Sequence, residues 1–436
     1  MTAAVVGMLF TACSSSLLPR APEAVGGERI YYVATNGSNA NPGTFRRPFR
    51  TIQHALDVAD RPGNTIQVRG GTYNEGIHFT VDGTAAAPIV LENYPGERPF
   101  ISGARTSAQK LVQIFDRRHV RMHGFAVGDL VAKSPLESGA IFVEGYGDDV
   151  EIADNDVYDV KPAPHEYANG RAIQVRGFYA DRPLTNIVIS NNRIQRCVVQ
   201  DGNVLEISGN SSRVTVTNNR LQANRGIALN VTGGTKPPSY TRWTLQVSDV
   251  LVAGNQIDGT FGAGAIGLYV QASRRVTVRH NRVEHSGFAL YVTSEYPLVH
   301  SRNVTIEDNV VRDNAEAGIL IGSPFFKTTV LGASVSGNTV LHNGTYESGN
   351  GGNFGIGRAI GVRVHKNHLI ASDDNALVYL GAPYRAVTLD ENCYDTPSHI
   401  AKTAQFGYAG KVYAGFSRYQ KATRQDGSST FGRSCD

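Results

Sequence analysis

Between residues 150 and 395 one pattern of apolar and polar positions recurs. A short stretch alternates between the two classes and closes on asparagine. The copies are 150-VEIADND, 187-IVISNNR, 214-VTVTNNR, 250-VLVAGNQ, 276-VTVRHNR, 304-VTIEDNV, 333-ASVSGNT, 362-VRVHKNH and 387-VTLDENC. Their asparagines are Asn155, Asn192, Asn219, Asn255, Asn281, Asn309, Asn338, Asn367 and Asn392, separated by 25 to 37 residues. Alternation with a period of two predicts strands rather than helices. A repeat of that length predicts a stack of similar units rather than a compact fold.

A second alternating stretch follows most of these asparagines after a variable loop: Ala140–Gly145, Ala172–Gly177, Val204–Gly209, Gly226–Val231, Ala265–Gln271, Gly287–Thr293 and Gly318–Gly322. Several strands per unit, with asparagine stacked at one corner, predict an all-β, right-handed parallel β-helix. Amides at equivalent corners would bond along the stack. Such a solenoid needs closed ends. The stretch 51-TIQHALDVADRPG-63 predicts a capping helix, with Ile52, Ala55, Leu56 and Ala59 on one face and Thr51 as N-cap. Beyond Tyr394 the period is lost, which predicts a C-terminal cap. The expected organisation is 1–28 signal and tether, 29–105 N-terminal cap and first coils, 106–395 repeats, and 396–436 C-terminal cap.

The block 31-YYVATNGSNANPGTFRRPFRTIQHALDVADRPGNTIQVRGGTYNE-75, followed by 88-PIVLENYPGERPFISG-103, resembles the N-terminal module of secreted right-handed parallel β-helix proteins. These form the pectin-lyase-like superfamily, which includes pectate lyases and relatives of chondroitinase B and alginate lyases. The resemblance implies the fold over nearly the whole chain. It also implies that a substrate groove runs along one face of the stacked strands. It does not imply one reaction, since such scaffolds carry many. The Asn-Thr-Asp and Gly-His-Gly signatures of polygalacturonase-like hydrolases and the Asp-Pro-His-Asp of alginate epimerases are absent. The stretch 206-EISGNSS-212 is similar to the middle-coil pattern of chondroitinase B relatives, but lacks their lysine.

The N-terminus, 1-MTAAVVGMLFTACSSSLLPR-20, looks like a bacterial lipoprotein signal: an apolar run, small residues, then Cys13 to carry lipid and a serine-rich tether. An ordinary cleaved secretory signal is the alternative. Either predicts export, with the membrane reached only through a lipid anchor. Export would let Cys393 pair with Cys435, leaving Cys197 as a buried thiol. The formal charge of +4 permits an anionic partner, and no basic run or helix points to nucleic acid. The predicted partner is a polysaccharide, probed by a monomeric rod.

Candidate chemistry lies on the strands after each asparagine. If Ile141, Val143, Ile173, Val175, Leu205, Ile207, Ile227, Leu229, Ile266, Leu268, Leu290 and Val292 face inward, two rows face outward. One is Phe142, Gln174, Glu206, Ala228, Gly267, Ala289. The other is Glu144, Arg176, Ser208, Asn230, Tyr269, Tyr291. The loop 160-VKPAPHEYANGR-171 adds Lys161, His165, Glu166, Tyr167 and Arg171, and later loops add Asp201 and Arg225. β-Elimination on a uronate polymer needs cations or donors on the carboxylate, a base and an acid. Arg176, Arg171 and Asn230 suit the first task, His165 or Tyr269 the second, and Tyr269 or Tyr291 the third. Glu144, Gln174, Asp201 and Arg225 are the remaining candidate substrate contacts. Hydrolysis would instead pair Glu206 with Asp201, Glu166 or Glu144. A non-catalytic glycan-binding surface is the third alternative. The acidic runs 148-DDVEIADND-156 and 372-SDD-374 leave Ca²⁺ as a possible cofactor. His280, Glu284 and His285 are assigned to different sides of one coil, which argues against a shared metal.

Overall fold

The computed structural model of the chain describes residues 29–133, 137–163, 169–234, 245–296, 299–323, 326–344, 352–372, 376–381 and 384–432, with the side chains of residues 200, 201, 263, 376 and 384 also left aside. The strands coil into a three-faced solenoid in which every pairing between coils is parallel. The first face has 13 strands, from Ile30–Val33 to Tyr384–Asp390, of which the last nine lead into the ladder asparagines. At roughly 4.8 Å per strand it is about 58 Å long. The second face is made of short strands such as Asp156–Lys161, Arg193–Gln195 and Arg282–Glu284. The third carries Lys110–Phe115, Ser138–Gly145, Gly170–Gly177, the end of Val198–Gly209 and their successors. The architecture is the right-handed parallel β-helix read from the repeat.

The corner between the first two faces explains the asparagines. The residue before each one has a left-handed backbone: Asp154, Asn191, Asn218, Gly254, His280, Asp308, Gly337, Lys366 and Glu391 all have φ between 54 and 67°. That conformation turns the chain sharply. It leaves the asparagine side chain pointing along the stack. Each ladder amide from Asn155 to Asn367 donates Nδ2–H to Oδ1 of the next, at 2.9–3.1 Å. Each acceptor also takes the backbone N–H of the asparagine before it. No ladder amide is exposed to water: all nine are buried. A second, shorter ladder runs from Asn314 through Asn343 to Asn353 at another corner.

Both ends are closed. Helix α1 (Ile52–Val58) sits where predicted, with Thr51 as N-cap accepting from the His54 N–H and with Ile52, Ala55 and Leu56 buried. At the other end a helix not foreseen from the sequence, α2 (Phe416–Thr423), packs Phe416 and Tyr419 against Tyr394 and Phe406. Cys393 is disulfide-bonded; Cys435 and Cys13 lie outside the described residues. Cys197 is the buried free thiol expected, and burial pushes its pKa up to about 12. Among the described residues no helix is long and apolar enough to cross a membrane.

Candidate active site

The third face presents three outward rows. The first is Lys110, Gly139, Arg171, Asn203, Ile227, Ile266 and Phe288. The second is Gln113, Phe142, Gln174, Glu206, Asn230, Tyr269, Tyr291 and Leu320. The third is Phe115, Glu144, Arg176, Ser208, Thr232, Gln271 and Thr293.

This register corrects the expected rows from the fourth coil onward. Asn230, Tyr269 and Tyr291 stand in line with Glu206, two residues from the line of Arg176. Ile227 and Ile266 face outward, while Ala228 and Ala289 are core. The cause lies at the corner entering this face, where two successive residues turn inward: Ala140–Ile141, Ala172–Ile173, Val204–Leu205, Ala228–Leu229 and Ala289–Leu290. Strict alternation fails there. A shift of two residues on the strand beyond preserves the in–out parity, so hydrophobic pattern alone does not report it.

Glu206 is the centre of the site. It is only 4% exposed. Its Oε2 lies 2.7 Å from Arg171 Nε, close but off the N–H direction, and accepts from Asn203 Nδ2 at 2.5 Å. Oε1 accepts from Gln174 Nε2 at 3.1 Å. Burial pushes the carboxyl pKa up, but Arg171, Asn203, Ser208 and Arg176 outweigh burial and hold it below the usual carboxylate range. Asn230 extends the network, donating to Asn203 Oδ1 at 3.0 Å. Gln174 also donates to Glu137 Oε1 at 3.1 Å, and Arg176 reaches the same oxygen at 3.3 Å. Further along, Glu144 is clasped by Lys110 Nζ at 2.7 and 2.8 Å. Burial still raises its pKa more than Lys110 lowers it.

These residues border a pocket of about 300 Å³ lined by Arg171, Arg176, Asn203, Glu206, Ile227, Asn230, Thr232, Gln271, Glu295 and Tyr296. Glu295 and Tyr296 reach it from the loop after the Phe288–Thr293 strand. Tyr269 and Tyr291 are not on its wall. They stack at a centroid distance of 5.1 Å in an apolar cluster with Ile266 and Leu320. Tyr269 instead acts through Glu295, to which its hydroxyl donates at 2.6 Å. Burial first, then Glu295, raises the Tyr269 pKa far above that of a free phenol, and burial pushes Tyr291 up to about 12. Both are therefore protonated at neutral pH, which removes Tyr269 as the base expected of it. Arg225 lies exposed at the corner beside Phe261, away from this pocket. His165, Glu166 and Tyr167, and the side chain of Asp201, lie outside the described residues.

Thus Arg171, Gln174, Arg176, Glu206 and Asn230 converge as expected. Asn203, Glu295, Tyr296 and Glu137 were missed. Asn203 carried a signal, standing outward in the same strand as Glu206. The others belong to loops without period.

In the first acidic run, Asp148, Asp149 and Asp156 are matched by protein donors. Asp148 accepts from Thr185 and Asn186, each at 2.6 Å; Asp149 binds Arg121 and His119; Asp156 pairs with Arg98. Asp373 and Asp374 lie outside the described residues. Glu284 and His285 are joined not by His280 but by Asp258 from the preceding coil, with ligand atoms within 4.8 Å of one another. Glu284 Oε1 already holds the guanidinium groups of both Arg282 and Arg312. That charge balance leaves little attraction for a cation.

Residues 31–197 match the Pel9A-like right-handed β-helix region, and residues 241–354 match the general right-handed β-helix region. Both matched regions are right-handed β-helices, the fold of the pectin-lyase-like superfamily. That superfamily includes polysaccharide lyases and glycoside hydrolases. The uncharacterized protein YwoF of Bacillus subtilis is 27% identical over 423 residues, covering 92% of this chain and 87% of that one. Pectate lyase PEL9 of Emericella nidulans is 46% identical over 74 residues, 16% of this chain and 18% of that enzyme. Among solved structures, the lacto-N-biosidase of Eubacterium ramulus aligns with a TM-score of 0.55 at 12% identity, covering 93% of this chain and 67% of that one. An alginate lyase, AlyF-OU02, aligns with a TM-score of 0.53 at 10% identity, covering 80% and 77%. At such identities the structural likeness is one of fold.

Proposed function

We propose that this β-helix protein is an exported enzyme that cleaves an acidic, uronate-containing polysaccharide by β-elimination in the Glu206 pocket. The unequal commitment of its two arginines carries the reading. Arg171 is neutralised by Glu206 in the buried wall. Arg176 has one ion pair among the described residues, to the rim carboxylate Glu137 at 3.3 Å; its guanidinium lies over the Phe178 ring and its side chain is 31% exposed. Arg176 is thus the cation that can exchange Glu137 for a sugar carboxylate. Pairing there acidifies the C–H beside the carboxylate. Glu295 takes that proton as the neighbouring C–O bond breaks and a C=C bond forms. Tyr296, which burial above all keeps protonated, gives its proton to the leaving oxygen.

Hydrolysis is the second reading, favoured by one observation: Glu206 and Glu295 are two carboxylates lining one pocket. Incubation with a panel of uronate polymers separates the two. Unsaturated ends absorbing in the ultraviolet support elimination; new reducing ends without absorbance transfer the assignment to hydrolysis. Binding without either product sinks the enzyme reading and leaves a glycan-binding rod. Arg176→Ala and Tyr296→Phe are each expected to lose about 100-fold in kcat/KM, roughly 3 kcal/mol, with unchanged circular dichroism. The lipid anchor belongs to the same proposal: a fatty-acid label should enter the wild-type chain in a bacterial host but not Cys13→Ser.

A further inference from the structure

A larger cavity, of about 630 Å³, opens where the second face turns into the third, on later coils than Glu206. Its wall includes Phe261, His285, Asp313, Glu316 and His342. Phe261 is placed there by an insertion. Arg225 and Ile227, two positions apart, pair with Phe261 and Ile266, five apart. The surplus bulges outward through Gly262 and Gly264, at φ 102 and 68°, where a side chain would be strained. The Phe261 ring ends 51% exposed. A large aromatic ring held in water is an unfavourable arrangement that the fold's own packing does not require.

The polar wall is oriented as well. His285 Nδ1 lies 2.8 Å from Asp258 Oδ1. A carboxylate accepts, so Nδ1 donates and Nε2 is left for a ligand. Asp313 and Glu316 add carboxylate acceptors, and Asp313 lies 3.7 Å from His342 Nδ1. No lysine or arginine is among the described residues lining this cavity, whereas two line the Glu206 pocket. An apolar ridge of Ile227, Ile266, Phe288 and Tyr291 stands on the face between the two.

We infer that this cavity is a second saccharide site, selective for a neutral pyranose unit. The apolar C–H face of the ring lies on Phe261, and its hydroxyls donate to Asp313 and Glu316 and bond His285. Asp313 is shared with Arg312, whose Nε lies 3.6 Å away, but among the described residues Glu316 has no lysine or arginine partner, and its carboxylate repels a uronate at the same place. The inference stands on this cavity alone and holds whichever reaction the Glu206 pocket performs.

Titration calorimetry tests it, with neutral tetrasaccharides of gluco, manno, galacto and xylo configuration against galacturonate and alginate tetrasaccharides. At least one neutral member should bind, weaken tenfold or more in Phe261→Ala, and be unaffected by Arg176→Ala. Failure of all four neutral sugars overturns the proposal, as does binding indifferent to Phe261→Ala, or a uronate whose binding depends on Phe261. Activity of Arg176→Ala on uronate polymers is a separate readout, so the two assignments fail independently.

Discussion

Tyr269 donates its hydroxyl to Glu295 at 2.6 Å from beneath an apolar cover that leaves the ring 1% exposed. The bond joins a rigid strand to the loop that forms one wall of the pocket. Burial together with the carboxylate keeps the phenol protonated, so Tyr269 is a positioning residue and Glu295 the group it positions. Tyr269→Phe retains the stacking on Tyr291 and removes only the donor. It should lower kcat/KM about tenfold, near 1.4 kcal/mol, with little change in Tm. The loss should fall on kcat rather than KM, and unchanged turnover would refute the role.

The asparagine ladder carries a stability prediction. Asn281 accepts from Asn255 through Oδ1 and donates through Nδ2 to Asn309, the Val252 carbonyl and the Arg279 carbonyl. Asn281→Leu leaves several of those buried partners unmatched at once. The expected loss is about 3 kcal/mol, measured by denaturant unfolding. Exchange at the exposed His280 beside it should cost far less, provided the new residue tolerates φ 54°; His280→Asn meets that condition.

The difference between these neighbours shows why the fold was legible. One buried polar residue per coil, at a fixed place after an alternating strand, has few physical explanations, and a stacked amide is the simplest. Glu206 and Arg176 were legible for a related reason: a charged residue at an outward position of an alternating strand stands out, whereas Arg171 was reached through the long loop that leads into its strand. Tyr269 and Tyr291 were assigned to the wrong row because Ile227 and Ile266 look like core residues. They are apolar because they cover the outer aromatic cluster. Glu295 and Tyr296 had no period to betray them, since a loop folding back over a face leaves no alternation. Asn343 and Asn353 escaped notice because they stand 10 residues apart and yet bond across the stack.

Glu206 sets an acid limit on stability. Its pKa in the fold is held below the unfolded value, so it contributes stability at pH above about 4.3 and loses that contribution as pH falls through the folded value. Denaturant midpoints should therefore drop below pH 4 in wild-type protein. In Glu206→Gln the drop should be smaller, although the variant is less stable at neutral pH because Arg171 is left without its carboxylate. An equally steep acid limb in the variant would mean that other carboxylates govern it.

Asp426 acts in the opposite sense at the end of the ladder. Its carboxylate accepts from Asn392 at 3.2 Å and Tyr394 at 2.9 Å on the last coil, and from Ser429 at 2.7 Å and Tyr419 at 3.0 Å in the C-terminal cap. Burial outweighs these four donors and raises its pKa. A raised carboxyl favours the protonated form in the fold. Its contribution is therefore complete below the unfolded value, about 3.9, and is lost as pH rises through the folded value. Asp426→Asn keeps Oδ1 as the acceptor for Asn392, Tyr394 and Ser429, and its amide can donate to the Tyr419 hydroxyl. The variant should be at least as stable as wild type at pH 7, and its relative advantage should shrink as pH is lowered towards 4. Parallel denaturation curves across that range check the sign. A neutral-pH loss of 2 kcal/mol or more would show that the ionised carboxylate holds the cap in place.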